Sequence, residues 1–222
     1  MQNIIKISNS LVALNDIKTD QAKNLVLFIA GISGVATTDK YARLESYFTR
    51  EGMPLARVDM WQNQSELERS TINYYHQELD AILNYFSQQG FKQFTAIGKS
   101  FGATLLISYR NPLIRALTLW APAIGVTSGE ETVSKLSSVE LKNVRNVLDI
   151  EINRTWATSL RIPICILHGS KDTVVPLQNS MSLAEILSNA TMYTLNNSSH
   201  SLMGEKDEDE LLEKTIAFLK KH

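Results

Sequence analysis

The sequence has little cysteine and no long apolar run. Its 222 residues include one cysteine, Cys165, so an internal disulfide is excluded, and its apolar neighbours predict a buried core thiol. No stretch approaches the roughly 18 apolar residues of a membrane-spanning helix, and the N-terminus lacks the apolar block of a signal peptide. We therefore expect a cytoplasmic protein with no membrane insertion.

Excess charge and repetition are also lacking. The formal net charge is -1, so the sequence gives no reason to expect nucleic acid or an anionic membrane as a partner. No internal repeat is present, and no cluster of cysteine, histidine and aspartate has the spacing of metal ligands. The length and the 44% apolar content fit one globular domain over residues 1–222, with neither metal nor cofactor expected. The oligomeric state stays open.

Apolar runs with strand character alternate with helical patterns along the chain. The predicted central strands lie at 25–30, 55–60, 94–97, 116–121, 163–168 and 191–195. The clearest helical spacing lies at 72–86, and residues 3–14 are predicted to form a hairpin at a sheet edge. This alternation predicts an α/β fold, with a mostly parallel central sheet, helices on both faces and ligands at the carboxyl ends of the strands.

One pattern, G-x-S-x-G, organises the chain. It reads Gly98-Lys99-Ser100-Phe101-Gly102 and lies between a strand-like run and an apolar stretch that suits a buried helix. A sharp strand-to-helix turn of this kind lifts a serine above the sheet edge and needs small residues at its flanks. The start of the following helix favours a developing anion. Ser100 is therefore the candidate nucleophile.

Two further polar residues follow later predicted strands. Asp172 comes after the strand ending at His168, and His200 lies in the loop after the strand ending near Leu195. A serine hydroxyl needs a base to take its proton, and a histidine suits that task near neutral pH. A carboxylate on the other ring nitrogen orients the histidine. Ser100, Asp172 and His200 therefore fill the roles of nucleophile, acid and base from three strand ends.

These stretches resemble the α/β-hydrolase superfamily, in its serine esterase, lipase and serine-peptidase branch. The resemblance covers about residues 25–220, and its most specific part is the run His-Gly-x-x-Asp-x-x-Val-Pro from His168 to Pro176. It implies the same three roles for the serine, the aspartate and the histidine.

The resemblance also implies an oxyanion hole after the first central strand. The family usually has His-Gly there, whereas this chain has Ala30-Gly31-Ile32. The implied donors are the backbone N–H groups of Ile32 and Phe101. Because backbone donors do not depend on the side chain, we expect the hole to be retained.

Other residues compete for these roles. The rivals of Asp172 and His200 are the acids Asp149 and Glu151 and the histidines His76, His168 and His222. The two rival acids lie in a polar segment without a clear strand end. Among the histidines, His76 lies on a predicted helix, His168 is expected to pack or hydrogen-bond locally, and His222 is the terminus. Ser100 and Asp172 themselves also suit ordinary turns.

The segment 125–160 interrupts the alternation of strands and helices. It is polar, and the resemblance implies a small cap over the active site here, with an ordinary crossover helix and long loop as the alternative. Trp61, Trp120 and Ile124 follow central strands and are candidates for pocket walls, although such residues also suit the core.

The resulting hypothesis is a cofactor-free serine hydrolase that acts on a small-molecule acyl substrate through an acyl-enzyme. A carboxylesterase for small or medium acyl esters is the first choice, and a thioesterase or small-peptide hydrolase is the enzymatic alternative. From another class, a catalytically silent member of the fold that binds a ligand or a protein partner stays open.

Overall fold

The computed structural model has an α/β architecture built on one large sheet. It describes residues 3–16, 23–32, 35–68, 70–127, 151–153 and 159–222. The strands are β1 (Asn3–Ile7), β2 (Ser10–Leu14), β3 (Asn24–Ile29), β4 (Leu55–Asp59), β5 (Gln93–Lys99), β6 (Ile114–Trp120), β7 (Gly125–Thr127), β8 (Glu151–Asn153), β9 (Ile164–Gly169) and β10 (Ala190–Leu195). The helices are α1 (Ala42–Arg50), α2 (Gln64–Glu68), α3 (Ile72–Gln88), α4 (Phe101–Ser108), α5 (Leu177–Ile186) and α6 (Glu208–Lys221).

Eight of the described strands form one sheet, in the order β1-β2-β4-β3-β5-β6-β9-β10. β1 and β2 form the predicted antiparallel edge hairpin, and β2 also runs antiparallel to β4. All other neighbours in this sheet are parallel. The predicted mostly parallel sheet is therefore confirmed, and β7 and β8 form a separate parallel pair.

Helices cover both faces of the sheet, as predicted. Along β3, Leu25 and Leu27 belong to one buried cluster, whereas Val26 and Phe28 belong to another, because successive strand residues face opposite sides. The first cluster includes apolar residues of α3, α4 and α5, and the second includes those of α1 and α6. Each central strand is thus buried on both faces, which explains its continuous apolar run.

α3 shows most directly why the sequence pattern becomes a helix. The side chain of Thr71 accepts a hydrogen bond from the backbone N–H of Tyr74 at 3.1 Å and so caps the helix start. Its buried apolar residues recur at spacings of three and four and lie along one face: Ile72, Tyr75, Leu79, Ile82, Leu83 and Phe86.

A buried carboxylate on α3 holds the edge hairpin. Glu78 is only 4% exposed and accepts hydrogen bonds from the hydroxyls of Ser8 at 2.7 Å and Ser10 at 2.8 Å. The backbone N–H of Asn9 donates to the same carboxylate at 3.0 Å, and its side-chain amide at 3.3 Å. The turn between β1 and β2 is therefore attached to the main body by one side chain.

Replacing Glu78 with alanine should lower the free energy of unfolding by about 2–4 kcal/mol, because the buried hydroxyl of Ser10 loses its acceptor and a cavity opens. Urea denaturation would measure the change. Glu210→Ala on α6 is the matched control, since Glu210 pairs with Lys214 at 3.4 Å on the surface and its loss should cost under about 0.5 kcal/mol. Equal losses for the two variants would contradict this role of Glu78.

Candidate active site

The turn between β5 and α4 is a tight strand-to-helix elbow. Ser100 sits at its apex with φ 53° and ψ -119°, a backbone conformation that residues other than glycine rarely adopt. The helix packs so closely on the strand that a Cβ on Gly98 would lie 2.6 Å from the backbone nitrogen of Ala103. A Cβ on Gly102 would collide with the carbonyl oxygen of Ile29. The two glycines are therefore needed for close approach, as the G-x-S-x-G pattern predicts.

The structure brings the three residues proposed from the sequence into one hydrogen-bond chain. His200 Nε2 lies 3.0 Å from Ser100 Oγ, and His200 Nδ1 lies 2.7 Å from Asp172 Oδ2. Since a carboxylate only accepts, Nδ1 carries the proton and Nε2 is free to accept from the serine hydroxyl. This is the tautomer that a general base for Ser100 requires.

The Asp172 carboxylate is fully buried, and both of its oxygens accept hydrogen bonds. Oδ1 accepts from the backbone N–H groups of Val174 and Val175, both at 2.8 Å, and Oδ2 accepts from His200. Burial alone raises the pKa of this carboxyl, but hydrogen bonds from His168, His200 and Val175 outweigh it and hold the pKa well below its usual range. Asp172 is therefore ionised at neutral pH and held in one orientation.

His168 contacts this carboxylate too, within the local packing or hydrogen bonding that the sequence predicted for it. Its Nε2 lies 3.1 Å from Asp172 Oδ2, and the ring is completely buried at the end of β9. The sequence signal for this contact was the spacing of four residues between His168 and Asp172 in the His-Gly-x-x-Asp motif. It did not distinguish a ring that packs from one that reaches the acid.

The loop after β3 lies directly against the nucleophile. A Cβ on Gly31 would come within 2.9 Å of the Cβ of Ser100, so only glycine fits there without a shift. The carbonyl oxygen of Ile32 accepts a hydrogen bond from Trp61 Nε1 at 3.3 Å. This bond braces a loop that has Ala30 at the position of the histidine that the resemblance led us to look for. Phe101 is the first residue of α4, where backbone N–H groups have no partner within the helix. Of the two residues proposed as oxyanion donors, Phe101 directly follows Ser100, and Ile32 directly follows Gly31, which lies against Ser100.

The three candidates for pocket walls have different surroundings. Trp61 is 5% exposed and packs against the ring of Phe101, with centroids 5.5 Å apart, beside the loop of Ile32. Trp120 is instead a core residue, because its ring is fully buried and Nε1 donates to Thr215 Oγ1 of α6 at 3.0 Å. Ile124 is also fully buried, in the cluster that includes α3 and α4. Of the three, Trp61 is the residue whose side chain contacts both the loop of Ile32 and the ring of Phe101.

Apart from His168, the rival histidines contact side chains outside the site, and the rival acid Asp149 lies outside the described part of the chain. His76 Nε2 contacts Ser108 Oγ at 3.0 Å, and the ring of His222 packs on that of Phe218 at 4.8 Å. Asp149 lies outside the described residues, as does most of the predicted cap. Of the segment 125–160, the structure describes the short strands β7 and β8 and the residues from 159 onward.

A lysine is buried directly before the nucleophile. Lys99 is only 6% exposed at the end of β5, and its neighbour across the ladder is Trp120 of β6. Burial lowers the pKa of the Lys99 ammonium to about 8, Lys40 lowers it as well, and the Asp172 charge opposes both. The folded state therefore disfavours the charged form of Lys99.

Replacing Lys99 with methionine should raise the free energy of unfolding at neutral pH by about 1–3 kcal/mol, because an apolar chain needs no hydration. Below about pH 8 the wild-type protein folds with a buried ammonium. Between about pH 8 and 10.5 the folded protein loses that proton while the unfolded chain keeps it, so the wild type gains stability with rising pH. The advantage of Lys99→Met should therefore shrink between about pH 8 and 10.5 and vanish above that range, as urea denaturation at several pH values would show. An advantage independent of pH would contradict this account.

No metal site or membrane-spanning helix accompanies these residues in the described ranges. No group of three or more histidine, cysteine, aspartate or glutamate side chains is placed to hold a metal ion in that part of the chain. No described helix has both the length and the apolar character needed to cross a membrane.

Solved structures share this fold over nearly the whole chain. The chain is similar to Est1E from Butyrivibrio proteoclasticus, with a TM-score of 0.74 and 16% identity over 99% of this chain and 98% of that one. A predicted CIB-like hydrolase from Thermoplasma acidophilum gives a TM-score of 0.73 and 19% identity over 100% of this chain and 98% of that one. The esterase EaEST from Exiguobacterium antarcticum gives a TM-score of 0.73 and 12% identity over 99% of this chain and 100% of that one. At these identities the likeness shows the α/β-hydrolase fold.

The sequence itself matches a family model. None of the curated proteins matches the chain. The model of the prolyl oligopeptidase family matches residues 81–222, which is more than half of the 222 residues and includes the elbow and both later strand ends. The chain therefore belongs to the prolyl oligopeptidase family and is a hydrolase of the α/β-hydrolase superfamily, in its serine esterase, lipase and serine-peptidase branch.

Proposed function

We propose that this hydrolase is a carboxylesterase that cleaves small or medium acyl esters through an acyl-enzyme on Ser100. The observation that carries the proposal is the hydrogen-bond chain from Ser100 Oγ through His200 to Asp172, with distances of 3.0 and 2.7 Å. A nucleophile, a base in the correct tautomer and a buried acid are the three side chains that this chemistry requires. A silent binding protein has no need of that arrangement.

The first half of the reaction forms the acyl-enzyme. Ser100 Oγ attacks the ester carbonyl carbon while His200 Nε2 takes the hydroxyl proton. The negative charge that develops on the carbonyl oxygen is accepted by the backbone N–H groups of Phe101 and Ile32. Asp172 keeps the imidazole oriented and stabilises its positive charge. When the intermediate collapses, His200 gives the proton to the leaving alcohol.

The second half of the reaction returns the serine. Water attacks the acyl-Ser100 carbonyl, and His200 removes a proton from that water as it did from the serine. The new tetrahedral intermediate uses the same oxyanion donors. When it collapses, the bond to Ser100 Oγ breaks, His200 returns its proton to that oxygen, and the acid is released. The proposal includes a single domain over 1–222, a small cap in 125–160, a cytoplasmic location and no added cofactor.

A second candidate is a small-peptide hydrolase with the same residues, and the match to the prolyl oligopeptidase family favours it specifically. Acyl transfer from an amide differs mainly in its leaving group, which must receive a proton from His200 before it departs. The reacting groups therefore serve both candidates equally, and substrate binding decides between them.

A substrate panel tests the choice. Purified protein would be assayed against p-nitrophenyl esters of increasing chain length, acyl thioesters and aminoacyl p-nitroanilides, with Ser100→Ala as the background. The proposal predicts the highest kcat/KM for esters of short or medium chains. Higher values for aminoacyl anilides would favour the peptidase, and higher values for thioesters would favour a thioesterase. Absence of any turnover above the Ser100→Ala background would contradict all three.

A further inference from the structure

A second histidine ring is bound to the acid of the proposed triad. His168 Nε2 lies 3.1 Å from Asp172 Oδ2, the same oxygen that His200 Nδ1 contacts at 2.7 Å. Both the His168 ring and the Asp172 carboxylate are fully buried. The carboxylate therefore lies between two imidazoles, of which the proposed mechanism uses only one.

The other contacts of His168 fix which of its nitrogens carries a proton. Nε2 also lies 3.1 Å from the carbonyl oxygen of Val175, which can only accept, so Nε2 must be a donor. Nδ1 lies 2.7 Å from the hydroxyl of Ser180, which is fully buried on α5 and can donate to a neutral ring. A neutral His168 with its proton on Nε2 satisfies all three contacts, and its N–H is shared between Val175 and Asp172.

We propose that His168 is a positioning residue of the Ser100–His200–Asp172 triad, which holds Oδ2 of Asp172 toward His200 and shares the negative charge of that oxygen. This inference rests on the proposed function, because it assigns a role within the same site. His168 touches neither substrate nor reacting atoms and acts through Asp172.

The charged and titratable groups around Asp172 determine how loss of the His168 contact should change the pH dependence of activity. His168 faces the carboxylate from β9, His200 faces it from the loop after β10, and the Lys99 ammonium acts on it from the end of β5. Two backbone N–H groups hold Oδ1, so loss of His168 leaves the carboxylate in place with one donor fewer on Oδ2. That oxygen then interacts more strongly with the His200 imidazolium. The protonated, inactive form of His200 becomes more stable, and the acid limb of activity moves to higher pH.

The test compares two substitutions of His168 by their pH profiles. His168→Met removes the donor and fills a similar volume, and we expect the acid limb of kcat/KM for p-nitrophenyl acetate to shift upward by about half to one pH unit. We also expect kcat to fall on the order of 10-fold with little change in KM, because the base is less well oriented. His168→Gln places an amide N–H near the position of Nε2 and should return the limb toward its wild-type position.

His76→Met is the matched control. His76 also contacts a serine hydroxyl, that of Ser108 at 3.0 Å, but it lies on α3 outside the site. Its replacement should leave the acid limb unchanged. An unshifted or downward-shifted limb in folded His168→Met would overturn the proposal, as would a shift of equal size in His76→Met.

A measurement on the wild-type protein covers the case in which His168→Met does not fold. In protein labelled with ¹⁵N-histidine, the Nε2-bound proton of His168 should change its resonance when a fluorophosphonate modifies Ser100, because the adduct favours protonated His200 and redistributes charge on Oδ2. The His76 resonances should stay in place. A modified Ser100 with unmoved His168 signals would reject the positioning role alone, whereas failure of the reagent to modify Ser100 would reject the proposed function.

Discussion

Ser100→Ala should lower kcat/KM for an activated ester by about 10⁴-fold or more, because it removes the proposed nucleophile. His200→Ala should cause a loss of similar size, since the serine hydroxyl then has no base. The double variant Ser100→Ala/His200→Ala should be hardly worse than either single one, because the two residues act as a unit. Single-turnover acylation with p-nitrophenyl acetate would measure all three.

Two results would contradict this interpretation of the site. Full activity of Ser100→Ala would reject the serine mechanism altogether. Losses that multiply in the double variant would show that the two residues contribute independently, which is incompatible with a proton transferred between them over the observed 3.0 Å. Circular dichroism and thermal melting of each variant would establish that the fold is retained.

Asp172→Asn should cause the next largest loss, severe but smaller than that of Ser100→Ala. An asparagine amide can donate to His200 Nδ1 and so favours the tautomer with its proton on Nε2, which cannot accept from the serine. The variant should also lose part of its unfolding free energy at neutral pH. The fold lowers the pKa of Asp172, so its carboxylate stabilises the native state above the unfolded pKa of about 4, and this contribution is lost as pH falls.

Asp149→Asn and Glu151→Gln are the controls for the acid, because they replace its rivals in the sequence. Both should keep acylation rates within a few-fold of the wild type. A crippled Asp149→Asn or Glu151→Gln together with a nearly normal Asp172→Asn would show that the acid had been misassigned. Each rate would be measured with the same activated ester, so that differences in acyl binding do not enter.

The fold and the hydrogen-bond chain could be predicted from local patterns joined by one topological rule. The elbow around Ser100 depends on two glycines within five residues, which the sequence displays directly. Asp172 and His200 follow parallel strands, and the carboxyl ends of such strands meet at one edge of the sheet. Knowledge of the strand order was therefore unnecessary to propose that these side chains meet.

Other features depend on packing between distant segments and could not be predicted in that way. Trp120 follows a central strand, and its ring nitrogen donates to Thr215, which is 95 residues away on α6. Lys99 occupies a variable position of the elbow motif. Its neighbours in the sequence do not show that α1 and α6 cover the face of the sheet on which it lies. Glu78 looks like a surface residue of an amphipathic helix until the edge hairpin folds over it.

Covalent labelling of Ser100 tests the central claim most directly. The intact wild-type protein would be incubated with a fluorophosphonate, digested and analysed by mass spectrometry, alongside the Ser100→Ala and His200→Ala variants. The proposed chemistry predicts one adduct per chain, located on Ser100, none in Ser100→Ala, and labelling slowed by orders of magnitude in His200→Ala. An unlabelled wild-type protein, or an adduct on another residue that persists in Ser100→Ala, would contradict it.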